Sequence, residues 1–165
     1  MSWLTERQRH GGIDRIEVPG AGALWLCGKH LIAPDPEVTL TSVGALGVVC
    51  LNERHELADR YPDYVTWLAS DPRATWSPIP DLGVAAADVM AGIVAGVRGR
   101  LDDGDAIVHC GAGMGRAGTI AVGVLVAAGL DAGTALTRVA AARPGAGPES
   151  GSQADLVAVW AAGRG

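Results

Sequence analysis

The run Thr119–Leu130 contains no charged residue and is apolar on every side. A helix built from it has no face to offer water, so it must sit at the centre of the packing. It is too short to cross a bilayer, which takes about 20 residues. Upstream lie a Gly-rich stretch, Gly111 to Gly118, and a short apolar run, Ala106-Ile-Val-His109, that reads as a buried strand. The chain must therefore arrange itself around one central strand–turn–helix unit.

Further strands are read at Gly22–Cys27, Leu46–Leu51 and, more weakly, Thr75–Ile79, each apolar or β-branched and bounded by Gly or Pro. Helical patterns lie between and after them. Asp35 is placed as an N-cap, with Pro36 at the first helical position and Gly44 as the stop. Tyr61–Leu68 is amphipathic. Met90, Ile93, Val94 and Val97 share one face of a helix over Ala87–Arg98, and further helices are read at 118–130, 132–142 and 153–162. Strands alternating with helices predict an α/β fold: a central, mainly parallel sheet of four to five strands, flanked by helices on both faces. A length of 165 residues suits a single domain. Residues 1–15 are polar and read as a loosely held segment, leaving 16–165 as the folded domain.

Composition narrows the function. The chain carries 13 Lys+Arg against 18 Asp+Glu, a net charge of −5, which argues against nucleic acid as a partner. No signal-peptide pattern and no spanning run is read, so the expectation is a soluble, cytoplasmic protein without a membrane partner. Three widely spaced cysteines, Cys27, Cys50 and Cys110, make neither a disulfide framework nor a zinc pattern. No metal or cofactor is implied.

Ligands of parallel sheets bind beyond the carboxyl ends of the strands. The segment His109-Cys-Gly-Ala-Gly-Met-Gly-Arg-Ala-Gly-Thr119 occupies such a position. Its glycines let the backbone amides of Gly111, Ala112, Gly113, Met114, Gly115 and Arg116 converge, and a helix N-terminus adds positive partial charge, which together suit a phosphate. Cys110 opens the loop and Arg116 closes it. The thiol then lies beneath the anion while the planar guanidinium grips two of its oxygens. The amides, the helix end and Arg116 all favour the thiolate, so Cys110 is the candidate nucleophile of a phosphocysteine intermediate. The leaving group needs a proton donor, and Asp81, in Pro78-Ile-Pro-Asp-Leu-Gly83, is placed for that. His109 is read as a donor ordering the loop, and Glu53 and Glu56 as bonding backbone or arginine at the rim.

These residues resemble the Cys-based protein tyrosine and dual-specificity phosphatases. Cys110-x5-Arg116 with His109 before it matches their signature, and Pro78-Ile-Pro-Asp81, 29 residues before the Cys, is similar to their mobile acid loop. Val48-Val-Cys-Leu-Asn-Glu-Arg-His-Glu56 resembles the compact branch near the cyclin-dependent-kinase-associated phosphatase, and Arg143-Pro144 followed by Gln153 resembles the family's late segment. The resemblance covers roughly residues 20–160. It implies a hydrolase of phosphoproteins carrying phosphotyrosine, or of small phosphomonoesters. It also implies a catalytic set of Cys110, Asp81, Arg116 and Gln153, with Gln153 orienting the hydrolytic water. In related phosphatases a cysteine at the place of Cys50 traps the oxidised nucleophile as a disulfide, so Cys50 is implied as a redox partner; a core thiol is the other reading.

One position departs from the family. The Ser or Thr that usually follows the Arg, and helps the thiolate leave, is here Ala117; Thr119 lies two residues on. This keeps open an alternative, a catalytically weak module that binds phosphate or phosphoprotein. Gly113-Met-Gly-Arg-Ala-Gly118 also satisfies the dinucleotide fingerprint G-x-G-x-x-G. That fold needs a further parallel strand ending in an acid, and two helical patterns follow instead, which argues against it. The loop interior carries no second cation, which ranks polyanionic lipid or inositol phosphates below phosphoprotein.

Overall fold

A computed structural model describes residues 5–163. Strands β1 (Ile13–Ile16), β2 (Leu24–Gly28), β3 (Ala45–Cys50), β4 (Ala74–Trp76) and β5 (Asp105–Cys110) form one sheet in the order β1-β2-β5-β3-β4. β1 runs antiparallel to β2, and the other pairs are parallel. The expected sheet is present, with β5 at its centre. The segment read as loosely held contains a short helix, α1 (Glu6–His10), and most of edge strand β1; residues 1–4 lie outside the described part.

Side chains alternate across β5, and each face has its own apolar layer. Ala106, Val108 and Cys110 join Leu24, Leu26 and Val49 in one cluster. Helices α5 (Ala87–Asp103), α6 (Gly115–Ala127), α7 (Ala132–Ala142) and α8 (Gly151–Ala162) cover that layer. Ile107 joins Cys27, Val48 and Cys50 in the other, beneath α2 (Lys29–Ile32), α3 (Pro36–Val43) and α4 (Pro62–Ser70). Among the described residues no helix is long and apolar enough to cross a membrane.

Local signals behave as read. The Asp35 side chain accepts from the Val38 amide, Pro36 takes the first turn of α3, and Gly44 ends it at φ 69°. Some boundaries shift: α5 runs on to Asp103, past the expected Arg98, and β4 stops at Trp76, short of the expected Ile79. α6 begins at Gly115, inside the Gly-rich turn, and ends at Ala127. Glycine disfavours helix by roughly 1 kcal/mol, which hides the start from a propensity reading. Tertiary packing supplies the reason for glycine there. Every residue of α6 from Gly115 to Val126 is buried, and a Cβ on Gly118 would lie 2.2 Å from the Gly147 backbone nitrogen. A chain with no Phe fills its core by bringing backbones close together.

Glycine substitutions should therefore act in opposite directions. Gly118→Ala forces backbone apart and is expected to cost about 2 kcal/mol despite its better helix propensity. Gly96→Ala on α5, where an added Cβ meets nothing within 4 Å, should stabilise by up to about 1 kcal/mol. Urea unfolding of the two variants checks both signs; a neutral Gly118→Ala would refute the close-packing account.

Candidate active site

β5 delivers Cys110 to the carboxyl end of the sheet, where the chain turns through residues 111–114 into α6. A trans peptide points its N–H and C=O in opposite directions. The orientation of the amides can thus be read from what holds the carbonyls. The Gly111 carbonyl accepts from the Lys29 amide at 3.1 Å. The Ala112 and Gly113 carbonyls accept from Arg143 Nη2 and Nε at 2.9 and 3.0 Å. With three successive carbonyls drawn outward, the amides of Ala112, Gly113 and Met114 turn to the concave side, forming the cradle. Gly113 sits at φ 74°, and a Cβ there would be 2.5 Å from the Cys27 carbonyl, so only glycine fits.

Arg143 is completely buried. Its Nη1 also reaches Asp14 Oδ2 at 2.8 Å and the carbonyls of Gly11 and Gly12 at 3.1 and 3.3 Å. The guanidinium thereby ties the cradle to the N-terminal segment. Sequence reasoning noted Arg143 only as part of the late Arg-Pro pair and missed this role. Backbone carbonyls leave no side-chain pattern to read.

Arg116 closes the loop, buried at 3 % exposure. Its Nη1 and Nη2 donate to Glu56 Oε2 and Oε1, each at 2.7 Å, and Nη1 also donates to the Ile79 carbonyl at 2.9 Å. Glu56 further accepts from the Glu53 amide at 2.6 Å and from Asn52 Nδ2 at 3.0 Å. Burial works against the charge on Glu56, but Arg116 and these donors outweigh it and hold the carboxyl down to about 2. A carboxylate that stays ionised keeps the guanidinium fork in one orientation.

Asp81 lies in the turn Pro80–Gly83 with its carboxyl 71 % exposed; Oδ1 accepts from the Leu82 amide at 3.0 Å and lies 3.3 Å from Arg116 Nη2. The structure thus brings Cys110, Arg116 and Asp81 to one end of the sheet. Gln153 is buried, and both ends of its amide are engaged: Oε1 accepts from the Glu149 amide at 2.8 Å and Nε2 donates to the Gly83 carbonyl at 3.2 Å.

His109 is fully buried; its Nε2 lies 2.6 Å from the Tyr64 hydroxyl and its Nδ1 3.4 Å from the Cys110 carbonyl. A carbonyl can only accept, so Nδ1 carries the proton and Nε2 takes the tyrosine's hydrogen bond. Burial drives the imidazole down to about 4, so it is neutral. Ala117 is buried, and the Thr119 hydroxyl donates to the Gly115 carbonyl at 2.7 Å. Cys27 and Cys50 flank His109 in register on the neighbouring strands. Both belong to the apolar layer opposite the one that holds Cys110, and burial pushes the Cys50 thiol up to about 12.

Acid should weaken the fold in two stages. The unfolded chain takes up a proton at His109 near its ordinary 6.5 and at Glu56 near 4.5, whereas the folded chain does so only near 4 and 2. Unfolded chains bind more protons across these windows, so stability falls as pH falls. Glu56→Gln should flatten the decline between about 4.5 and 2 and leave the upper window intact. Urea midpoints against pH provide the check; an unchanged lower window would remove Glu56 from the account.

The family model of the Swiss Army Knife DSP-PTPase phosphatase domain, PTP-SAK, matches residues 27–151. No curated protein matches the chain. Among solved structures, Tk-PTP in its active form is similar at a TM-score of 0.69 and 23 % identity, over 90 % of this chain and 96 % of that one. Kinase associated phosphatase, with serine replacing its catalytic-site cysteine, is similar at 0.75 and 19 %, over 88 % and 91 %. A human tyrosine phosphatase-like serine/threonine/tyrosine-interacting protein is similar at 0.70 and 15 %, over 92 % and 97 %. These structures share the fold. The family model goes further, since its span takes in the turn Pro80–Gly83, residues 110–116 and Arg143, and on that match the chain belongs to the dual-specificity and protein tyrosine phosphatase family.

Proposed function

We propose that the protein hydrolyses phosphomonoesters through a phosphocysteine, without a metal. The observation that carries this reading is the cradle, whose outward carbonyls are held by Arg143 and Lys29 while Cys110 and Arg116 stand at its two ends. The Cys110 thiolate attacks phosphorus as the bond to the leaving oxygen breaks, and Asp81 gives that oxygen a proton. Cradle amides and the Nε–Nη2 edge of Arg116, opposite the fork that Glu56 holds, take the equatorial oxygens, where charge accumulates. Asp81 then takes a proton from water, which attacks phosphorus and releases the thiolate.

Ala117 bears on the second step. No hydroxyl at that position assists the departing thiolate, and that of Thr119 is committed to its own helix. Formation of the phosphocysteine is expected to outrun its hydrolysis. The same observation supports the second reading, a module that binds phosphate and turns over poorly. On substrate, the loop residues Gly111 to Gly115 bring no second cation, which favours a phosphoprotein bearing phosphotyrosine over polyanionic lipid headgroups.

Hydrolysis of p-nitrophenyl phosphate under reducing conditions is the test. Turnover should survive EDTA, vanish in Cys110→Ser and fall roughly a hundredfold in Asp81→Ala. Ala117→Ser should shrink the pre-steady-state burst relative to steady turnover. Turnover indifferent to Cys110 would overturn the mechanism; phosphopeptide binding with negligible turnover would select the binding module.

A further inference from the structure

Gln153 is oddly placed for a polar residue. It lies in the first turn of α8, where a glutamine ordinarily reaches water, yet it is 1 % exposed. Its backbone amide is capped by Ser150, and its Oε1 reaches back to the residue before that cap, so only the Nε2 end leaves the helix start. Oε1 takes the Glu149 N–H, and Nε2 donates to Gly83, which ends the acid turn.

The turn is also held at its side chain, where Asp81 Oδ1 lies 3.3 Å from Arg116 Nη2. Gly83 donates to the Pro80 carbonyl at 3.0 Å, and Leu82 donates to the Asp81 carboxyl, both within the turn itself. Leu82 stands at φ 59°, in the left-handed region that a leucine side chain disfavours, and is 56 % exposed. A strained backbone with an exposed leucine at its tip persists only where something outside fixes it. Among the described residues, Gln153 supplies the side-chain hydrogen bond to this turn's backbone from a distant element, α8.

We propose that Gln153 is a positioning residue: its amide latches the turn Pro80–Gly83 and so sets where the Asp81 carboxyl stands relative to Cys110 and Arg116. The inference rests on the reading of Asp81 as the proton donor. It differs from the role the family resemblance implies, orienting water: here the amide oxygen takes the Glu149 N–H and one N–H of the amide goes to Gly83. Glutamate keeps the acceptor and loses the donor, which makes Gln153→Glu the informative variant, with Gln153→Met as a second that carries no charge.

A misplaced acid harms most the substrates whose leaving groups most need a proton. Values of kcat/KM are therefore compared for p-nitrophenyl phosphate, a good leaving group, and phenyl phosphate, a poor one. With the latch, either variant loses about tenfold more on phenyl phosphate than on p-nitrophenyl phosphate, and the Leu82 and Gly83 amides exchange with solvent faster by more than any change in global stability, read from the α6 amides, accounts for. Equal loss on both substrates, unchanged exchange at Gly83, or unchanged kcat/KM with an enlarged burst, the mark of a water-orienting residue, would overturn it. Should wild type itself show no Cys110-dependent turnover, the hydrolase reading falls. Exchange at Leu82 and Gly83 then decides the latch alone: faster in the variants supports it, unchanged refutes it.

Discussion

A loop that points successive amides into one concavity must point the matching carbonyls out of it, and a buried carbonyl needs a donor. In this protein the donors come chiefly from one side chain. Arg143, wholly buried, spends Nε and Nη2 on the cradle and Nη1 on Asp14 and the two glycine carbonyls before it. Burying a guanidinium is costly unless its hydrogen-bonding capacity is filled and its charge is matched. Asp14 supplies the matching charge, and is itself shared with Arg7 at 2.7 Å. The turn from β5 into α6 is thus held from behind by a buried ion pair, which leaves the proposed phosphate cradle preformed.

Arg116 follows the same rule at the front. Its guanidinium is buried against Glu56 and the Ile79 carbonyl, with an edge left toward Asp81. Lys29 adds to this, its ammonium donating to the Glu56 carbonyl at 3.0 Å and its amide to Gly111. The short turn after β3, the start of α2 and the acid loop are therefore braced against one another. No large insertion is needed to rigidify the mouth.

What could be read from the sequence divides along a physical line. Features compressed into contiguous residues were legible: Cys110 and Arg116 were placed at the two ends of one loop, and they stand at the end of β5 and in the first turn of α6. The β2, β3 and β5 strands were legible because apolar runs bounded by glycine have few other places to go. Interactions that join distant residues were not. Glu56 and Arg116 are 60 positions apart, Gln153 and Gly83 are 70, and nothing in local pattern pairs them. Glu56 was placed at the rim near an arginine, but which arginine was beyond reach. β1 was hidden for a related reason. Its Ile13-Asp-Arg-Ile16 alternates too weakly to declare a strand, and pairing with β2 creates it.

The reach of Arg143 also bears on the order in which the protein becomes itself. Its contacts to the cradle span about 30 residues, while those to Asp14, Gly11 and Gly12 span 129 to 132. Closing so wide a loop costs entropy that local contacts do not repay, so the wide contacts form after the sheet and its helices have brought both ends together. The parallel core can be complete while Arg143, already able to reach the carbonyls of the turn after β5, still lacks the charge and carbonyls that the N-terminal segment supplies, and the guanidinium is fully satisfied only once that segment is docked. Completion of the fold and satisfaction of this buried charge are, in this architecture, one event.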